Sequence, residues 1–260
     1  GVLAQQKLLY TTGNNISNVN TQGYTRQRTD LYTNTASLGV GISNTQRLLN
    51  SYSQREVWRD TSNVQMYQTS YQQLSSTDQF LSSDANSLNP ALSSYFSALD
   101  TVNQDPSSTG SRKTLMGSMQ DLVNRFNTAS TTLKQQQSDI NSNIEGEVKS
   151  VNQLLSGISD LNQQILKAPK NSDGTSLNLM DQRDEMIRQL SEKMDVRTVA
   201  QDNGTVLVNL SSGESLVLAS GAATVGVTKG DPDATQTGLQ VTIGTSSSTI
   251  SSIVGGKHGG

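Results

Sequence analysis

The sequence predicts an α+β chain that is mainly α: an elongated bundle of long, heptad-patterned helices followed by a small antiparallel β domain. Three observations carry this. Ser111 to Lys167 holds no proline and has apolar residues at a helical beat. A second stripe at the same beat precedes it, in Val57, Thr61, Val64, Tyr67 (or Gln68), Tyr71, Leu74 and Leu81. From Asp195 onward the period falls to two and turn dipeptides punctuate the chain.

Within the long stretch, Leu115, Met119, Leu122, Phe126, Ala129 and Leu133 alternate steps of four and three. Ile140, Ile144, Val148, Val151, Leu155 and Ile158 continue the seam. Its period is the narrow 3.5 residues of helices packed along their length. The rhythm slips between Gln136 and Ile144, which locally unwinds a supercoil without ending the helix. At 1.5 Å per residue the stretch makes a rod of about 85 Å. Gly146 lies inside it and costs roughly 1 kcal/mol against Ala.

The composition fits an extended molecule. Of 260 residues, 32% are hydrophobic and 16% charged, so Ser, Thr, Asn and Gln fill the surface. The formal net charge of −3 supplies no basic face for nucleic acid or anionic lipid. No apolar run approaches the ~18 residues of a membrane span. Without cysteine there are neither disulfides nor thiolate metal sites. Gly1 to Tyr10 shows no secretory h-region. A start without Met and a Gly-Gly-Lys-His-Gly-Gly end lead us to expect a fragment.

Three parts are expected: an N-terminal segment of helix plus extended arm over 1–50, partly disordered alone; a helical bundle over 51–194; and an incomplete β domain over 195–260. Val2 to Tyr10 is a short amphipathic helix, which Thr11-Thr12-Gly13 either interrupts or extends. Asn18 to Gly23 is turn chemistry, because Asn bonds its own backbone and Gly permits a left-handed residue. Asp30 to Gly41 reads as an extended arm or small hairpin. Asn44 or Ser51 starts the next helix, whose Trp58 anchors packing or a subunit contact. Leu88-Asn89-Pro90 starts another, with Asn89 as cap and Pro90 first in the helix. Its buried face is Leu92, Tyr95, Phe96, Leu99 and Val102, and Asp105-Pro106 ends it. Ala168 to Gly174 is a loop, and Asn178 caps the last helix, which runs to about Met194. In the β region, Asp202-Asn203-Gly204 and Ser211-Ser212-Gly213 are hairpin turns.

Little here suggests catalysis. Asp181 shares a helix face with Asp184 and with Glu185. A first helical turn favours acids through the dipole, so capping and ion pairing explain them without chemistry. Asp231 and Asp233 lack a downstream glutamate at calcium-loop spacing. His258, the single histidine, sits in a Gly-rich tail, and no P-loop or dinucleotide fingerprint appears. No enzyme, metal or cofactor is expected.

The order of residues says more. Asn14-Asn15-Ile16-Ser17-Asn18-Val19-Asn20-Thr21-Gln22-Gly23-Tyr24 resembles the N-terminal signature of the flagellar axial proteins of rod, hook and hook-filament junction. Thr25-Arg26-Gln27 resembles the hook-associated protein 1 branch, the FlgK family. Leu179-Met180-Asp181-Gln182-Arg183-Asp184-Glu185 is similar to the Leu-Asp-Gln-Arg-Asp element of that family, and Asp105-Pro106 to its turn before a long helix.

The resemblance implies a structural subunit between hook and filament, exported through the flagellar type III system without a cleaved signal. Its partners would be copies of itself in a ring of about eleven, the hook protein below, the second junction protein above and an export chaperone. It implies no nucleic acid and no membrane, pairing of N- with C-terminal helices in an inner layer, and a monomer before assembly. Asn14, Asn15, Ile16, Asn18, Val19, Thr21, Gly23, Tyr24 and Arg26 are the expected assembly residues. Asp181, Arg183 and Asp184 are expected to hold the bundle. Another axial protein, hook or rod, is the nearest alternative; a secreted surface adhesin is the alternative of a different class.

Overall fold

The structure, a computed structural model, describes residues 1–34, 39–84, 86–168 and 174–250. The first helix, α1 (Val2–Ser17), runs unbroken through Thr11. The Thr11 hydroxyl bonds the Lys7 carbonyl at 3.0 Å and meets the Thr29 hydroxyl at 2.7 Å, so this residue docks the helix on the arm. The arm is a hairpin of β1 (Gln27–Asn34) and β2 (Gly39–Arg47), antiparallel from Gln27↔Arg47 to Asn34↔Gly39.

Helix α2 (Ser51–Ser82) begins at the later of the two expected starts. The Asn50 carboxamide oxygen accepts the amides of Tyr52 and Ser53, whereas Asn44 lies in β2. Helix α3 (Leu88–Gln104) starts earlier than expected: its N-cap is Ser87, and Asn89 and Pro90 fall in the first turn. Proline is tolerated there because first-turn amides have no helical partner in any case. Helix α4 (Thr109–Lys167) is a single element of 59 residues. Helix α5 (Thr175–Ser191) starts after Gly174 at φ +84°. Asn178, expected as its cap, is therefore inside it, and no acid occupies its first turn. Most of the expected 168–174 loop, and His258, lie outside the described residues.

Two antiparallel sheets follow. One has the order β3-β4-β5-β6, from β3 (Val196–Ala200), β4 (Val206–Leu210), β5 (Ser215–Leu218) and β6 (Gly221–Ala222). The other has the order β7-β8-β9, from β7 (Thr224–Lys229), β8 (Thr237–Ile243) and β9 (Ser246–Ile250). Gly204 and Gly213 take positive φ in the expected hairpin turns.

The chain divides into two compact units, residues 1–67 with 145–260, and residues 68–144. The first holds the main core: Val151, Leu155, Ile158, Ile187, Leu190, Met194, Val208, Leu216, Val217 and Val225 are all buried. A Cβ at Gly157 would lie 2.7 Å from the Met186 sulfur, so glycine lets α4 and α5 approach closely there. Two asparagines of α4 act as extra peptide groups. Asn162 pairs through its amide and oxygen with the carbonyl and N–H of Val206, at 2.8 and 3.1 Å. Asn152 does the same with Val225, at 2.8 Å both ways. Each asparagine satisfies strand groups that face no neighbouring strand at that position.

The second unit packs differently from expectation. Among its described residues Ala91, Ala98 and Ala129 are the buried apolar ones, and Leu92, Tyr95, Val102, Leu115 and Leu122 are half-buried. Phe96 and Leu99 of the expected buried face, and Met119, Phe126 and Leu133 of the expected seam, are exposed. Arg125 closes the α2–α3 connection by donating to the carbonyls of Asp84 and Ser87, both at 3.0 Å.

Candidate assembly interface

The N-terminal motif builds a compact polar knot. Asn18 ends α1, with its backbone and side-chain amides both donating to the Asn14 carbonyl. Thr21 bonds back to Asn18 through its N–H at 2.9 Å and its hydroxyl at 3.2 Å. Gly23, at φ +81°, turns the chain toward α5, where an added Cβ would stand 3.1 Å from the Glu185 Cβ. The Tyr24 hydroxyl donates to the Asn15 side-chain oxygen at 2.9 Å. That oxygen also accepts the Gln27 N–H at 2.9 Å, while the Asn15 amide donates to the Gln27 carbonyl at 2.9 Å. Asn15 thus pairs with Gln27 as a strand would.

Asn14, Asn15, Asn18, Thr21, Gly23 and Tyr24 are therefore brought together. Ile16 and Val19 are not; they stay 69% and 74% exposed. The Arg26 carbonyl accepts the Leu48 N–H at 2.8 Å, and Arg26 is exposed.

Helix α5 receives the knot. The Thr25 N–H donates to Asp181 Oδ2 at 3.1 Å, and the Gln27 side-chain amide donates to Asn178 Oδ1 at 3.2 Å. Arg47, at the end of β2, pairs with Asp184 and places its Nε 3.1 Å from Asp181 Oδ1. Those last two atoms are misaligned, and neither makes a hydrogen bond. Arg183 donates to Asp184 Oδ1 and, at 2.6 Å, to the Gly204 carbonyl of the β3–β4 turn. Gln54 of α2 adds a bond to Asp184 at 3.2 Å. Asp181, Arg183 and Asp184 are all buried.

Burial pushes the Asp181 carboxyl up, against the Thr25 hydrogen bonds and the Arg47 charge. Burial likewise lowers Arg183, against its Asp184 partner. Glu185, nearer water, is held below the usual range by its Arg188 hydrogen bonds. Tyr24 is raised by burial and then by the Asp181 charge. Asp181 and Asp184 therefore meet Arg47 of β2, while Glu185 pairs with Arg188 on its own helix, and with no acid in the first turn of α5 the helix dipole does not explain them. Arg47 and Gln54 escape sequence reasoning, and Thr25 and Asn178, read there as part of a motif and as a helix cap, are not read as contacts of the site, because their partners lie about 130–156 positions away.

Asp233 accepts the N–H and hydroxyl of Thr235. Among the described residues no cluster of His, Asp or Glu could hold a metal, and no helix is long and apolar enough to cross a membrane. Large apolar side chains stand exposed instead. In the first unit these include Val2, Leu3 and Leu9 of α1, and Val57 and Val64 of α2. In the second they include Tyr71 and Leu74 of α2, and Met116, Met119, Val123 and Phe126 of α4. Trp58 is buried.

A family model described as the helical domain of the flagellar hook-associated protein FlgK matches residues 74–260. The chain belongs to the FlgK family. It is 31% identical over 246 residues to flagellar hook-associated protein 1 of Salmonella typhimurium, covering 91% of this chain and 44% of that protein. To the protein of the same name in Escherichia coli K12 it is 30% identical, covering 94% and 46%. To that of Bacillus subtilis it is 29% identical, covering 85% and 45%. The chain thus spans less than half the length of these FlgK relatives. A solved flagellar hook junction protein FlgK from Burkholderia pseudomallei shares the fold, with a TM-score of 0.72 and 23% identity over 79% of this chain and 38% of that one.

Proposed function

We propose that the chain is part of a structural subunit that joins the flagellar hook to the filament outside the cell. In this reading residues 1–50 form the axial segment, 51–194 the helical bundle and 195–260 the β domain. Copies pack side by side into a ring through the exposed apolar stripes, while the motif knot sets the angle between α1 and the bundle. Hook protein lies below and a second junction protein above, after export as an unfolded chain.

The observation that carries this reading is the docking of the axial motif on the Leu179 to Glu185 element of α5. It pairs Thr25 and Gln27 of the N-terminal motif with Asp181 and Asn178 of α5 and leaves large apolar side chains outside. Large apolar side chains that stand exposed along helices α1, α2 and α4 suit contacts with other subunits. The relatives' names supply the location. The relatives' names, flagellar hook-associated proteins, support a mechanical role.

Deleting the gene and imaging the cells tests it. Hooks without filaments, with flagellin in the medium, are expected. Loss of the hook would move the assignment to a rod or hook subunit. Normal flagella would leave the surface-adhesin reading in front.

A further inference from the structure

Strand β3 leaves one side of its backbone unused. It is the first strand in the order β3-β4-β5-β6, and among the described residues only β4 pairs with it. The Gln201 N–H reaches the Thr205 carbonyl and the Ser211 N–H reaches the Asp195 carbonyl, which fixes the phase of the ladder. In that phase Arg197 and Val199 bond β4, and the N–H and C=O groups of Val196, Thr198 and Ala200 face the other way. Val206, opposite Ala200, obeys the same phase: it turns its groups away from β3 and gives them to Asn162.

The unused side opens on a groove. Two cavities of about 460 and 440 Å³ lie between β3 and the start of α2, and Arg55, Trp58 and Thr198 line both. Five arginines and three acids line the pair, in a chain of net charge −3. Arg47 and Arg183 are held by Asp184, and Arg59 by Glu56. Arg55 and Arg197 are exposed and make no ion pair among the described residues. Asp195, the remaining acid, sits at the Val196 end of the edge.

We propose that this groove docks an extended acidic peptide, which joins the sheet as a strand beside β3. Main-chain bonds to Val196, Thr198 and Ala200 hold its backbone, and its side chains alternate between the two faces of the sheet. On the face of Thr198 and Ala200 they enter the larger cavity, beside Trp58 and Arg55. On the other face they lie against Arg197 and Val199. An acid on each face meets an arginine that the free chain leaves unpaired. The same two arginines guard the edge against a second copy, because β3 against β3 brings like charges together. This site goes beyond the junction role and does not depend on it.

NMR of the isotope-labelled 260-residue chain tests it, with the blocked peptide Val-Glu-Glu-Val-Thr-Val and its Lys-Lys counterpart as probes. The Glu-Glu peptide should give saturable shifts and slower exchange at the amides of Val196, Thr198 and Ala200. The Lys-Lys peptide should bind at least about fivefold more weakly. Arg55→Glu combined with Arg197→Glu, at two exposed positions, should reverse the preference. Thr198→Pro removes one outward N–H, a change an edge strand tolerates, and should abolish the shifts at Val196 and Ala200. Should Thr198→Pro fail to fold, the charge-reversed chain decides. Absence of a saturable shift at β3 with the Glu-Glu peptide overturns the proposal. So does equal binding of the two peptides, or a charge-reversed chain that still prefers Glu-Glu. Shifts at β3 that grow with protein concentration alone also overturn it, in favour of a second copy.

Discussion

Gly23 is where the knot depends most on a single backbone angle. At φ +81° it sits in a region that costs an L-residue about 1–2 kcal/mol. Its missing Cβ would lie 3.1 Å from the Glu185 Cβ, within the backbone-proximal part of a side chain that Arg188 already holds. Gly23→Ala should therefore weaken docking of the loop by about 1–2 kcal/mol. Gly23→Val adds a branched side chain against α5 and should cost about 2–4 kcal/mol in all. At 1.4 kcal/mol per factor of ten, that is roughly a 30- to 700-fold gain in local opening. Gly23→Asn tolerates the left-handed angle and should cost under about 1 kcal/mol from strain. Hydrogen exchange of the Thr25 amide, which is bonded to Asp181, reads the opening directly. The order Gly, Asn, Ala, Val is expected, and swimming in soft agar should fall in that order as well. Equal protection of Thr25 in the Val and Asn variants would refute the reasoning, because strain and crowding would then have no effect.

Three other outcomes follow from the same geometry. Asn162→Leu leaves the buried N–H and carbonyl of Val206 unpaired and should destabilise the first unit by about 2–6 kcal/mol, read from Trp58 fluorescence in a urea titration; Asn152→Leu, less buried, should cost less. The folded Glu185 carboxyl titrates below its unfolded value, so its contribution is present above about pH 4.3 and is lost as pH falls through the folded value. Glu185→Gln should lower Tm at neutral pH and make it less sensitive to acid below about pH 4. Leu74, 70% exposed on α2, should accept Leu74→Glu within about 0.5 kcal/mol of wild-type stability while swimming is lost; unimpaired swimming would remove that stripe from the assembly surface.

Much of this architecture was legible because periodicity reports the existence of an amphipathic face. The seam from Val148 to Ile158 is buried as its spacing demands. Periodicity does not report which neighbour is present, so Met119 and Phe126 of the same seam and Val57, Val64, Tyr67, Tyr71, Leu74 and Leu81 of the earlier stripe lie open. Helix starts were misjudged where Asn89 and Asn178 offered cap chemistry inside a first turn already begun by Ser87 and Gly174. A cap is decided by backbone angles, which side-chain type only biases. The turn after Asn18 was readable because Asn and Gly act on their immediate neighbours. Its landing place was not, since Thr25 and Asp181 are 156 residues apart and neither type is unusual for its element.

The paired asparagines of α4 have a further consequence. Asn152 and Asn162 stand ten residues apart, about 15 Å along the helix and roughly 280° around it. Each hooks a different sheet, so the helix works as a ruler whose two marks fix both the spacing and the relative rotation of the sheets. Many substitutions between the marks leave such a ruler readable. Removing a single residue between them shortens it by about 1.5 Å and turns one mark by about 100°, away from its strand. This stretch of α4 should tolerate changes of letter and reject changes of length.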